Sequence, residues 1–339
     1  MDIQILGITV LWIFLYGYLI VASIDFGAGF FAYYGKVTKR DDVINSIISR
    51  YLSPVWEVTN VFFVFFFVGL VGFFPKTAYY YGTALLVPGS IALVLLAIRG
   101  SFYAFGNYGA KDSHFYTFLY GATGLLIPAS LSTALTISEG GFIDEKNGTV
   151  VFLVEELLTS FYSWAVVFLA IVSVLYISAM FLSFYASKAK DLKALELLRK
   201  YALFWSPPTI LASFLVFLAL KGHNEEHFNN MVDYSYFFIL SFICFNIAVW
   251  LVYKNKRYGT AFIFVMLQFL FAFFGYGVSH LPYILYPYIT IEAGFTNEAM
   301  GIALVIAFIA GLFLLIPSLF LLMRMFLFDA KYVEGNREK

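Results

Sequence analysis

The sequence predicts an all-α polytopic membrane protein of about nine transmembrane helices, and three observations carry that expectation. Hydrophobic residues make up 62% of the chain and charged residues only 12%, where a soluble domain carries roughly a quarter charged residues. Apolar stretches of roughly 18 residues or more, the length a helix needs to cross a bilayer, recur along the whole chain. Positive charge is one-sided: of the 21 Lys and Arg residues, only Lys76, Lys146 and Lys221 fall in one set of alternate connections.

The first apolar stretch, near residues 4–34, is too long for the core of a signal peptide. No Lys or Arg precedes it and it lacks a clear small-residue cleavage site, so it reads as a retained helix. The others lie near 54–75, 79–105, 115–137, 150–186, 200–220, 235–253, 259–281 and 300–327. Positive residues accumulate on the cytoplasmic side, which places the N-terminus outside and the C-terminus inside; moving Arg99 into a helix leaves that bias intact. Asp41–Tyr51 spaces Val43, Ile44, Ile47 and Ile48 along one helical face, consistent either with a short helix on the inner membrane surface or with an ordinary lead-in to the second span. Lys188–Lys200 reads as a solvated charged helix extension. The longer outer connections, near 138–149, 221–234 and 282–299, are polar, acidic or aromatic and contain Gly and Pro, so residues 1–339 form a single membrane domain.

Composition also excludes functions. The formal net charge is zero, leaving no basic excess for nucleic acid. Aromatic residues reach 21%, with 41 Phe and 25 Tyr, which suits lipid-facing surfaces and membrane interfaces. The single cysteine, Cys244, rules out an internal disulfide, a CxxC redox pair and a CxxCH haem attachment.

The informative residues are charges inside apolar runs, because an ionisable group there costs several kcal/mol unless paired or hydrated. Asp25 lies in the first helix about 15 Å from its inner end, Glu57 near the inner start of the second, and Arg99 about 10 Å from the inner end of the third. All three fall in the cytoplasmic half and could form a hydrated acid–base–acid cluster. Such a cluster either conducts protons or faces a cofactor, or it is an ion pair that only holds helices together. Gly27 and Gly29 beside Asp25 let another helix or a flat ligand approach closely, packing being the commoner use. Trp56 and Asn60 share a helical face near Glu57.

A transmembrane b-type haem needs axial ligands projecting into the bundle. His114, His223, His227 and His280 all fall at expected helix ends or in connections, so the chain is expected to hold no buried haem. In GHNEEHF, His223 and His227 are spaced to share a metal if helical, but a solvated outer loop is the plainer reading, and no metal site is assigned. His280, beside Pro282 and the Tyr-rich YILYPYI, reads as an interfacial residue.

Four motifs in order carry a resemblance: SIDFGAGF (Ser23–Phe30), SPVWE (Ser53–Glu57), IRG (Ile98–Gly100) and LPYILYPYI (Leu281–Ile289). Together they resemble subunit II of the cytochrome bd quinol oxidases, over the whole chain and closest to the short, aromatic-rich Gram-positive forms. The resemblance implies two four-helix bundles plus a peripheral helix in a bacterial cytoplasmic membrane. It also implies a homologous subunit I that carries b-type and d-type haems and the quinol, menaquinol if the Gram-positive likeness holds, with a small single-helix accessory subunit left open. This chain would then be the haem-free partner in an enzyme that oxidises quinol and reduces oxygen to water. Asp25, Glu57 and Arg99 would lie towards the subunit interface and deliver protons, with Ser23, Gly27, Gly29, Trp56, Thr59 and Asn60 as supporting or interface residues. Three departures stand out: Ser23-Ile24-Asp25 where many members have a DGFD-like stretch, Glu57 for the commoner Asp, and Thr59 where the pattern has Asn, with Asn60 one position later. The alternative is a secondary transporter or permease subunit binding an ion or substrate at the same charges, which is disfavoured because Pro and Gly do not interrupt matching helices in two halves.

Overall fold

The computed structural model describes residues 2–106, 114–146 and 148–326, except for the side chains of several residues within 41–58, 102–106 and 322–326. In chain order the elements are α1 (Ile3–Val37), α2 (Asp41–Phe73), α3 (Lys76–Ala84), α4 (Leu86–Gly106), α5 (His114–Ser138), β1 (Ile143–Lys146), β2 (Thr149–Phe152) and α6 (Val154–Thr159). There follow α7 (Phe161–Lys188), α8 (Leu192–His223), α9 (Glu225–Asp233), α10 (Ser235–Tyr253), α11 (Tyr258–His280), β3 (Tyr283–Leu285), β4 (Ile289–Thr290), α12 (Ile291–Gly294) and α13 (Glu298–Phe326). Among the described residues seven helices are long and apolar enough to cross a membrane, or eight if α3 and α4 form one bent span. The second stretch contributes a shorter apolar helix, Thr59–Phe73, within α2.

Each expected stretch meets a helix, with three changes. The stretch near 79–105 is two helices bent by 76°. Tyr79, Tyr80 and Tyr81 direct their hydroxyls to the Gly148 carbonyl, the Glu145 carboxylate and the Ile284 carbonyl, so α3 is tied to the two hairpins and turns away from α4. Pro88 falls in the first turn of α4, where its missing N–H costs nothing. The stretch near 150–186 begins its span only at Phe161, because the apolar TVVF at its start is β2, paired antiparallel with β1. Ser160 caps α7 by accepting from the Ser163 N–H. Finally, Asp41–Tyr51 is the continuous beginning of α2, with Ile44, Ile47 and Ile48 buried in the same cluster as Ala28, Phe31 and Ala32 of α1. Those isoleucines cover protein, which favours the lead-in reading over a helix lying on lipid.

Lys188–Lys200 is not one extension: α7 stops at Lys188, a short turn follows in which Asp191 accepts from the Ala194 N–H, and α8 starts at Leu192. Arg199 donates to the Val252 and Tyr253 carbonyls at 2.8 and 2.7 Å. It thereby caps the carbonyl end of α10.

The most enclosed element is α7, in which every residue from Tyr176 to Leu182 is buried. On one side α1 and α5 pack unusually close. A Cβ on Gly124 of α5 would sit 2.2 Å from the Phe26 carbonyl oxygen of α1, so only glycine permits that helix separation. Gly124→Ala is therefore expected to cost about 1–3 kcal/mol through forced backbone movement, read as a lower thermal midpoint of the purified protein. Gly222→Ala, where a Cβ would meet nothing within 4 Å, should leave the midpoint unchanged or raise it.

Candidate functional site

The interior between α1, α4 and α5 holds a buried ion pair. Arg99 donates from Nε to Asp25 Oδ2 at 2.8 Å, and the two side chains are 0% and 1% exposed. The guanidinium makes further bonds: Nη2 donates to the Asp25 carbonyl at 2.6 Å, and Nη1 to the Tyr120 carbonyl at 2.9 Å and Thr123 Oγ1 at 3.3 Å. The Tyr120 and Phe26 rings lie 4.2 and 5.3 Å from its central carbon. Desolvating two charges costs several kcal/mol each, and only good geometry with further hydrogen bonds recovers it. Arg99, on α4, meets that condition by spending donors on two other helices at once, α1 and α5.

Sequence placed Gly27 and Gly29 beside this charge, and both serve packing. A Cβ on Gly29 would lie 3.0 and 3.1 Å from the Arg99 nitrogens and 2.6 Å from the Tyr120 carbonyl oxygen. The flat group admitted there is therefore the guanidinium. A Cβ on Gly27 would strike Ser178 of α7 at 2.4 Å, and Ser178 donates to the Ile24 carbonyl at 2.9 Å. Ser23 and Thr59 are buried and Asn60 is half-buried. The side chains of Trp56 and Glu57 lie outside the described residues. The structure thus brings together Asp25, Arg99 and Gly29, with Tyr120 and Thr123 as partners that sequence reasoning did not single out.

The histidines correct the sequence reading more strongly. His223 ends α8 and His227 belongs to α9, with Asn224 between them capping α9 through the His227 N–H. They do not face one site. His223 is stacked between Phe142 and Tyr162, each ring 4.9 Å away, and its Nε2 bonds the Gly140 carbonyl at 3.0 Å. His227, expected in a solvated loop, is 3% exposed, with Nδ1 at 2.9 Å from both oxygens of Glu139 and Nε2 at 2.9 Å from Ser279 Oγ. His280, expected at the interface, is also buried, its Nδ1 3.5 Å from Glu139 Oε1. Asn224 Nδ2 donates to Glu139 Oε2 at 3.1 Å, and the Tyr276 hydroxyl donates to Oε1. Burial would raise the Glu139 carboxyl, but its bond to His227, the charges of His280 and His227 and the Tyr276 hydroxyl outweigh it and hold the pKa below the ordinary value. No sequence signal marked this cluster, because its residues come from three separate connections and helix ends.

Comparison with known proteins extends the reading to the whole chain. Residues 3–326 match the family model described as cytochrome bd terminal oxidase subunit II. A Bacillus subtilis (strain 168) protein named putative cytochrome bd menaquinol oxidase subunit II is 34% identical over 337 residues, 97% of each chain. A chain in the structure of bd oxidase from Geobacillus thermodenitrificans is 59% identical and superposes with a TM-score of 0.85, over 97% of this chain and 100% of that one. A full-length family match, a relative of this identity and a shared helical architecture agree with the four ordered motifs: the chain belongs to the cytochrome bd terminal oxidase subunit II family.

Proposed function

We propose that this chain is the haem-free subunit II of a bd-type quinol oxidase in a bacterial cytoplasmic membrane, pairing with a haem-bearing subunit I. Its quinol is menaquinol, as in the name of the Bacillus subtilis relative. Its task beyond assembly is to pass protons from the face that carries most of the Lys and Arg residues towards the partner's haems. The buried Asp25–Arg99 pair is the observation that carries this reading. Oxygen reduction consumes protons as well as electrons, and apolar helices cannot conduct protons without titratable or hydrated stations.

In this reading Glu57 is the first acid, Arg99 anchors Asp25 through its guanidinium, and Asp25 passes the proton on. Oδ2 of Asp25 is engaged by Arg99, while Oδ1 meets the Tyr120 hydroxyl at 3.4 Å. Among the described residues, His223, His227 and His280 do not suit a haem. His223 is spent between two aromatic rings, and the His227 and His280 rings, 4.9 Å apart and both directed at Glu139, leave no room for a macrocycle.

The purified oxidase is expected to show b-type and d-type bands in a reduced-minus-oxidised spectrum, whereas this polypeptide folded without subunit I binds none. Stoichiometric haem in the isolated chain overturns the division of labour.

A further inference from the structure

The proton-route reading makes no use of the Glu139 cluster, which lies at the other end of the bundle. Two long helices terminate there: Glu139 directly follows α5, and Tyr276, Ser279 and His280 lie on one face of the last turn of α11. Helix carboxyl ends carry partial negative charge, and Glu139 adds a full one at 0% side-chain exposure. Among the described residues no Lys or Arg pairs with it; its ion-pair partners are His227 and His280. The burial of this carboxylate therefore rests on the Asn224 amide, the Tyr276 hydroxyl and whatever lies between it and two imidazoles.

Ser279 Oγ donates its one proton to the Tyr276 carbonyl at 2.9 Å. With that proton on the carbonyl it accepts from His227 Nε2, 2.9 Å away, one of the two tautomers the distance allows. In a neutral imidazole the other nitrogen, Nδ1, is a lone pair, and it faces both Glu139 oxygens at 2.9 Å. A lone pair against a carboxylate repels unless a cation or an extra proton stands between them. On His280, Nε2 is buried with no hydrogen-bond partner among the described residues, and Nδ1 faces Glu139 Oε1 at 3.5 Å, longer than an ordinary hydrogen bond.

We propose that Glu139, His227 and His280 form a divalent-cation site, and that its chemistry selects zinc. Two imidazole nitrogens and one carboxylate oxygen are a donor set that zinc uses with a fourth position open, whereas calcium and magnesium prefer oxygen alone. The spacing fits. Ligands about 2.0–2.1 Å from zinc lie about 2.9–3.6 Å apart at angles between about 90° and 120°, and Glu139 stands 2.9 Å from His227 Nδ1 and 3.5 Å from His280 Nδ1. All three ligand atoms fall within 4.8 Å of one another. An outer shell is present too: Ser279 orients His227, while Asn224 and Tyr276 hold the carboxylate.

The test uses the assembled, detergent-purified oxidase, stripped of loosely bound metal, dialysed against zinc chloride and passed through gel filtration. Wild type should retain about one more zinc per complex than His280→Gln or Glu139→Gln, as removal of one of three ligands requires. X-ray absorption at the zinc edge should show only nitrogen and oxygen neighbours at about 2.0–2.1 Å, including two imidazoles. Because the edge measurement needs only wild type, it decides the matter even if a variant fails to assemble. Equal zinc in wild type and assembled variants overturns the site, as does retained zinc with sulfur neighbours or fewer than two imidazoles. No zinc surviving gel filtration in wild type also overturns it.

Discussion

Replacing Asp25 by Asn in the assembled oxidase is expected to slow quinol-driven oxygen consumption by tenfold or more, about 1.4 kcal/mol in the limiting barrier, with haem content near normal. Asn keeps the shape and much of the hydrogen bonding and removes only the group that titrates. Arg99 loses a charged partner but keeps the Asp25 and Tyr120 carbonyls and Thr123 Oγ1, so the helices it joins remain tied. Oxygen consumption measured beside the haem spectrum of the same sample separates lost turnover from lost assembly. Unchanged turnover in an intact complex takes Asp25 off the obligatory route.

Arg99→Leu is expected to do the opposite kind of damage. It leaves the Asp25 carboxylate 1% exposed without the guanidinium and cuts the bonds that join α4 to α1 and α5. Breaking a buried pair by removing one partner costs about 3–5 kcal/mol, which should appear as a sharply lower thermal midpoint and a smaller yield of assembled complex. The double variant Asp25→Asn with Arg99→Leu removes both charges and should recover much of that stability, because a buried pair is often no better than apolar or neutral replacements. Turnover should stay low in it. If the double variant regains turnover together with stability, the pair serves only to hold helices.

The contrast between these two sites shows what the sequence could express. Asp25 and Arg99 stood out because each interrupts a long apolar run, where a charge is costly wherever the helices end up. Their pairing was a guess about depth, since residues 74 apart in sequence can share a level in the membrane without touching. Glu139, His227 and His280 carried no such flag. Each sits at a helix end or in a polar connection, where the default is solvent, and they meet only because α9 folds back over the ends of α5 and α11. Nor does hydropathy separate the apolar TVVF of β2 from the span that follows, and the aromatic run Tyr79–Tyr81 looked like part of a crossing until its hydroxyls found partners on the hairpins. Length and composition located the helices; bends, hairpins and the second polar cluster depended on contacts far apart in the chain.

The most direct test of the proton route is the rate at which protons leave solution when oxygen is mixed with the fully reduced oxidase, followed with a pH-sensitive dye. With Asp25→Asn at full haem content, that uptake should slow by tenfold or more, in step with turnover. Uptake as fast as in wild type would contradict the route and leave Asp25 and Arg99 as a structural pair.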